Sequence, residues 1–228
     1  FVKNDTTNKM LEFSEYLNQI SNLPLDVHLM VEDVESYIKS FAIFDPNIIT
    51  FHLEAGKSKK EILKWIKILN ENNIRVGISI KPNTKVEEIY EYLPFVHLVL
   101  VMTVEPGEGG QKLLPNTIEK IKELKKYIDE NNFEVDIEAD GGINTENANI
   151  VREAGADMLV SGSAIINAED YKEIIIKEND TLWDIAAKET DNRMDIREYI
   201  YTVKRLNAIK NSGNLVPGQT IRLPMISK

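Results

Sequence analysis

The sequence predicts an α/β fold built on a parallel sheet, followed by a small second module. Three observations carry this reading. Short apolar runs alternate with amphipathic helical patterns up to about residue 172, the runs are apolar nearly throughout, and both pattern and charge change near residue 173. Alternation of strand and helix implies crossover connections and hence parallel neighbours. Strands without a polar face belong to sheets covered by helices or to filled barrels.

A helical pattern at about residues 7–21 opens the chain with no strand before it. Strands are predicted at "LDVHLMV" (25–31), "IITFHLE" (48–54), "RVGISIK" (75–81), "VHLVLVMT" (96–103), "EVDIEA" (134–139) and "MLVSG" (158–162). Between them, "KSKKEILKWIKILNENN" and "NTIEKIKELKKYIDENN" repeat apolar residues at three- and four-residue spacing, each with a polar opposite face. Two architectures accommodate this order: an eight-stranded βα barrel lacking its first two strands, and an open doubly wound sheet of six. A dinucleotide-binding sheet needs G-x-G-x-x-G after its first strand, and none occurs; "GEGGQKL" has the wrong spacing and follows the fourth strand. Beyond residue 172 the order reads strand, helix, helix, strand, with Asp180 and Thr181 capping the first helix and Pro217–Gly218 turning into the last strand.

Composition narrows the function. A net charge of −10 disfavours a general binder of nucleic acid or anionic membrane, which needs excess Lys and Arg. Residues 173–228 carry 9 basic against 8 acidic side chains, a net +1, so the first part carries −11 and holds all of the net negative charge. The absence of cysteine removes disulfides, thiolate nucleophiles and zinc knuckles, and fits the cytoplasm. No apolar run reaches the roughly 20 residues of a membrane-spanning helix. The opening "FVKNDTTNKM" has neither a signal-peptide pattern nor an initiator Met, so the chain is expected to begin inside a longer protein.

In parallel βα folds, ligands sit at the carboxyl ends of the strands. His28, Glu54 and Asp140 stand near such ends and are expected to share one mouth, where His28 and Asp140 suit a divalent cation such as Zn or Fe. Asp140, followed at once by Gly141 and Gly142, is difficult to explain by packing. Glu54 can equally cap a helix or bond to its neighbours, and His52, mid-strand beside Phe51, and His97 are expected to be structural. Three glycine-bearing loops follow strands: "EPGEGGQ" (105–111), a candidate mobile lid, and "DGGIN" (140–144) and "SGSAI" (161–165), candidate phosphate cradles.

The ordered set "LDVHLMVED", "TFHLEA", "GISIKPNT", "LVMTVEPGEGGQK", "IEADGGIN" and "AGADMLVSGSAI" resembles the ribulose-phosphate 3-epimerases across nearly all of residues 1–172, and the opening "FVKNDT" resembles the segment after their second barrel strand. The resemblance implies an N-terminally truncated TIM barrel of about six strands. The implied reaction is metal-assisted interconversion of D-ribulose 5-phosphate and D-xylulose 5-phosphate, by proton transfer through an enediolate. It further implies that Asp140 is both metal ligand and acid/base, and His28 a metal ligand. Met30 and Met102 would line the reacting centre. Gly107, Glu108, Gly109 and Gly110 would cover the substrate, with Gly141, Gly142, Gly162 and Ser163 at its phosphate. The cation would be Zn, Fe or Mn. Glu108 stands where the family's loop has an aromatic residue, and Ala139 where valine is common. The family's first two strands, which carry a further metal histidine, the second catalytic aspartate and a substrate-contacting serine, have no counterpart here, so impaired turnover and self-association through open sheet edges are expected.

The tail, residues 173–228, resembles a LysM module through "IKENDTLWDIA" and "NLVPGQTIRLP", which implies binding of N-acetylglucosamine glycans in a groove near Asp180–Leu182 and Leu215–Gly218. Asn179 replaces the usual glycine there. Two other readings remain: a non-catalytic glycan-binding protein with a relic barrel, and a 3-epimerase for a six-carbon ketose phosphate such as allulose 6-phosphate.

Overall fold

The computed structural model describes residues 6–166, 171–190, 194–211 and 215–225, so part of the opening "FVKNDT" lies outside the described residues. The chain divides into two compact units, Phe1–Asn167 and Ala168–Lys228.

The first unit alternates as expected: α1 (Thr6–Ile20), β1 (Asp26–Leu29), α2 (Val34–Ala42), β2 (Ile48–His52), α3 (Lys59–Glu71), β3 (Arg75–Ile80), β4 (Leu98–Met102), α4 (Asn116–Glu130), β5 (Asp136–Asp140), α5 (Ala148–Glu153), β6 (Met158–Val160) and α6 (Ser163–Ile166). The six strands form one sheet in the order β1-β2-β3-β4-β5-β6. Every described neighbouring pair is parallel, from Asp26 opposite Ile48 to Asp140 opposite Val160. A strand order equal to sequence order is that of a barrel wall. A doubly wound sheet would reverse direction at a switch point. The described strands therefore make up six strands of a TIM-barrel wall, with β1 and β6 unpaired on their outer edges among the described residues.

Side-chain parity separates two cores. Val27 and Leu29, Ile49 and Phe51, Val76, Ile78 and Ile80, Val99 and Val101, and Ile137 and Ala139 face the helices, where Ile38, Trp65, Leu69, Ile121 and Leu124 cover them. The other parity faces the barrel interior, where Ile48, Leu98, Leu100, Met102 and Val104 form a smaller cluster with Met30 and Met158. Polar residues share that interior row: His28 on β1, Thr50 and His52 on β2, Ser79 on β3, Glu138 and Asp140 on β5. Gly77 is required there, because a Cβ would lie 2.1 Å from Thr50 Oγ1.

Local signals place the helices. The Asp33 carboxylate accepts from the Ser36 N–H at the start of α2. The Ser58 hydroxyl accepts from the Glu61 N–H at the start of α3, while the Glu61 carboxylate accepts from the Lys57 N–H. Between β3 and β4 the chain runs through short 3-10 segments, Val86–Glu88 and Tyr90–Phe95, the latter containing Pro94.

The second unit is β7 (Tyr171–Ile175), α7 (Leu182–Thr190), α8 (Ile196–Leu206) and β8 (Thr220–Pro224), with β7 and β8 antiparallel. Its own core gathers Ile176, Leu182, Ile185, Tyr199, Val203, Ile221 and Leu223. Thr181 caps α7 through the Asp184 N–H. Asp180 departs from the predicted capping role: its carboxylate turns back to accept from the Lys177 N–H, holding the turn that precedes the helix. Asn179 adopts φ +68, and Gly218 in the predicted turn φ +87.

Candidate active site

A cavity of about 630 Å³ opens at the carboxyl ends of the barrel strands. Its lining takes in His28 and Met30 from the end of β1, Met102 from β4 and Asp140 from β5. Gly107, Glu108, Gly109 and Gly110 of the loop after β4, Gly141 and Gly142 after β5, and Gly162 and Ser163 after β6 also face it. These residues thus border one space; Glu54, expected to share the same mouth, does not line it, because its carboxylate turns to His52, Thr84 and the Lys81 N–H instead.

His28 and Asp140 meet because both occupy the interior parity of strands that curl toward each other: His28 Nδ1 lies 3.5 Å from Asp140 Oδ2. The other ring nitrogen of His28 faces β2. His28 Nε2 and His52 Nε2 are 3.0 Å apart, with the two rings tilted by only 21°. His52 Nδ1 then lies 3.2 Å from Glu54 Oε2. Glu54 sits just past β2 in the 3-10 turn Leu53–Ala55, where its other oxygen accepts from the Lys81 N–H at 2.8 Å and from the Thr84 hydroxyl. The Lys81–Thr84 loop is itself pinned by Lys120 of α4, whose ammonium donates to the carbonyls of Lys81 and Pro82, at 2.8 Å each, and of Thr84.

The charges follow from these contacts. Burial pushes the Glu54 carboxyl up, but the hydrogen bonds from His52, Thr84 and the Lys81 N–H outweigh it and hold the group at about 2. Burial holds His52, fully enclosed, below the usual imidazole range despite the Glu54 contact. Burial, with the charges of Asp26 and Asp140 added, lifts Glu138 to about 8, and one of its oxygens has no hydrogen-bond partner.

His52, expected to be structural, is fully enclosed between His28 and Glu54, and Glu138 is the interior residue that sequence reasoning passed over. The signal for both was parity, since His52 shares its face with Thr50, and Glu138 shares its face with Asp140. His97 is structural as expected: its Nδ1 accepts from the Val76 N–H at 3.1 Å.

Packing dictates the glycines of the "DGG" turn. A Cβ on Gly141 would lie 2.4 Å from the Val104 side chain, and one on Gly142 would lie 2.4 Å from the Leu113 backbone nitrogen, at φ +124 and +67 respectively. The Thr103 N–H donates to the Asp140 carbonyl at 2.8 Å and its hydroxyl to the Gly141 carbonyl at 2.5 Å, so the turn is clamped to the end of β4. By contrast, a Cβ at Gly107, Gly109, Gly110 or Gly162 would meet nothing within 4 Å, which leaves their surroundings open. Gln111 braces the loop after β4 by donating to the carbonyls of Glu105 and Glu108.

An imidazole nitrogen and a carboxylate oxygen facing each other across the cavity mouth suit a divalent cation. Among the described residues no group of three or more His, Asp or Glu is gathered closely enough to enclose one. The pair therefore fits as part of a shell.

Comparison with known proteins bears on the same residues. The Ribulose-phosphate 3 epimerase family model matches residues 1–166, and the LysM domain model matches residues 174–224. The chain is 40% identical over 152 residues to the ribulose-phosphate 3-epimerase of Escherichia coli K12, covering 67% of this chain and 66% of that enzyme. It is 39% identical over 176 residues to that of Bacillus subtilis, covering 77% and 79%, and 42% identical over 159 residues to that of Methanocaldococcus jannaschii, covering 70% and 66%. The chain thus spans about two thirds of the Escherichia coli and Methanocaldococcus relatives. Among solved structures, a mutant tryptophan synthase alpha-subunit from Pyrococcus furiosus superposes with a TM-score of 0.55 at 12% identity, covering 70% of this chain and 64% of that one, a likeness of fold alone. With a barrel wall in sequence order, the His28–Asp140 pair at its mouth and a family match over most of its length, the chain belongs to the ribulose-phosphate 3-epimerase family.

Proposed function

We propose that the barrel unit is a ketose-phosphate 3-epimerase acting on D-ribulose 5-phosphate and D-xylulose 5-phosphate. The observation that carries this reading is the 3.5 Å approach of His28 Nδ1 to Asp140 Oδ2 at the mouth of the cavity. Asp140 takes the proton from C3 and the electrons move onto the C2 carbonyl; reprotonation of C3 from the opposite face calls for a second acid. His28 and Asp140 would hold a divalent cation, which would supply electrophilic stabilisation for the charge that develops on the carbonyl oxygen. The turn at Gly141–Gly142 and the segment at Gly162–Ser163 bracket the phosphate, and the loop carrying Gly107 to Gly110 covers the sugar. Sugar phosphates fit a cytoplasmic setting, and no helix among the described residues is long and apolar enough to cross a membrane.

In this family the second aspartate and a further metal histidine precede the segment that Phe1 begins. Residues 1–228 alone are therefore proposed to turn over poorly. A missing acid/base costs about 10²–10⁴-fold. The test is epimerisation of ribulose 5-phosphate by residues 1–228 beside the same chain with a family N-terminal segment restored. Equal turnover by the two would refute the impairment, and no turnover by either would refute the activity. Competition with allulose 6-phosphate reads the carbon count. The βααβ unit supports a second role, binding of N-acetylglucosamine oligomers near Asp180–Leu182. Absence of binding at millimolar chitin oligomer would refute it.

A further inference from the structure

Proton accounting along the interior of the barrel carries one inference beyond these roles. Two imidazole nitrogens 3.0 Å apart, His28 Nε2 and His52 Nε2, share a single proton, and geometry alone allows it on either ring. Glu54 removes the ambiguity. Its Oε1 takes the Lys81 N–H and the Thr84 hydroxyl, and its Oε2 faces His52 Nδ1 at 3.2 Å. A carboxylate oxygen only accepts, so His52 Nδ1 carries hydrogen, and its Nε2 offers a lone pair. The shared proton then belongs to His28 Nε2. With Nε2 occupied, His28 Nδ1 is left with a lone pair 3.5 Å from Asp140 Oδ2.

We propose that Glu54, acting through His52, is a positioning residue that fixes His28 as its Nε2–H tautomer and so presents Nδ1 as a ready ligand atom beside Asp140. The inference rests on the reading of His28 and Asp140 as cation ligands. It assigns to Glu54 and His52 a role in setting affinity for the cation without touching it. Polarity runs one way along the row, from the Lys120-pinned loop through Glu54 and His52 to His28. Outer partners that orient ligating imidazoles typically change metal affinity by about 10- to 100-fold when replaced.

Glu54→Gln tests the direction of the row. The Lys81 N–H holds an oxygen at the Oε1 position, which turns the new amide NH₂ toward His52 Nδ1. Both tautomers should invert, placing hydrogen on His28 Nδ1. The chain has 3 histidines, so long-range proton–nitrogen NMR of the metal-free, nitrogen-15-labelled protein resolves their tautomers directly.

The expected result is Nε2–H at His28 in the wild type and Nδ1–H in the variant. Zn²⁺ or Mn²⁺ affinity by calorimetry should fall about 10- to 100-fold in the variant. Thr84→Val, which leaves the carboxylate in place, should keep the wild-type tautomers. A wild-type spectrum with hydrogen on His28 Nδ1 would overturn the inference whether or not the variant folds. Wild-type affinity in Glu54→Gln, when Asp140→Asn has lost the cation, would also overturn it. Equal affinity in wild type and Asp140→Asn would instead overturn the ligand reading and leave the tautomer measurement to decide the row.

Discussion

Glu54 lies just past the last residue of β2, where its carboxylate gathers contacts from His52, Thr84 and the Lys81 backbone. Its folded value of about 2 lies below the ordinary 4.5, so its stabilisation is present above about pH 4.5 and lost as pH falls toward 2. The contribution is on the order of 3 kcal/mol. Urea midpoints measured down that range should fall more steeply for the wild type than for Glu54→Gln. Gly142 is a second sensitive residue. Alanine there combines a left-handed backbone with a Cβ against the Leu113 nitrogen, and thermal unfolding should register a loss of about 2 kcal/mol or more. The place of Asp140 was legible in the sequence because an acid at a strand end, beside a glycine pair, has few packing explanations, and that of His28 because it stands near the carboxyl end of a strand. The contacts of His52 to His28 and of Glu54 to Lys81 and Thr84 were not, since these partners come from neighbouring strands and loops that only the folded sheet brings near.

At the level of elements, α4 does more than cover the sheet. Lys120 reaches from it to three carbonyls of the Lys81–Thr84 loop, and burial lowers its pKa. Lys120→Met withdraws the donor those carbonyls share. The expected cost is about 1–3 kcal/mol, with faster hydrogen exchange at the Lys81 amide. In the tail unit, the buried Tyr199 of α8 donates its hydroxyl to the Pro224 carbonyl at the end of β8, and Tyr199→Phe should cost about 1 kcal/mol in chemical unfolding. Strand positions were readable from their apolar runs, and α3 and α4 from their spacing. The predicted strands overran the observed carboxyl ends by a residue or two at β1, β2, β3, β4 and β6; at β1 the reason is that the apolar Met30 and Val31 continue into the loop that lines the cavity. The 3-10 path around Pro94 had no periodic signature to give it away.

Across the whole molecule, the change of pattern expected near residue 173 falls inside β7, and the compact units divide earlier, at Asn167 and Ala168. The parallel α/β class was legible from alternation, whereas the choice between barrel wall and open sheet was not. Both architectures repeat strand and helix alike, and only the order of strands in space separates them. The outer edges of β1 and β6, unpaired among the described residues, offer backbone donors and acceptors to any strand that arrives, and Leu159 and Val160 on β6 are partly exposed beside them. Residues 1–228 alone should therefore sediment as concentration-dependent oligomers, and a family N-terminal segment restored in the same chain should suppress them. The same strand order also bears on synthesis. Since β2 docks on β1, β3 on β2, and so on to β6, each strand leaving the ribosome finds its neighbour already made. The wall can therefore assemble in the direction of translation, with no earlier strand waiting for a distant one.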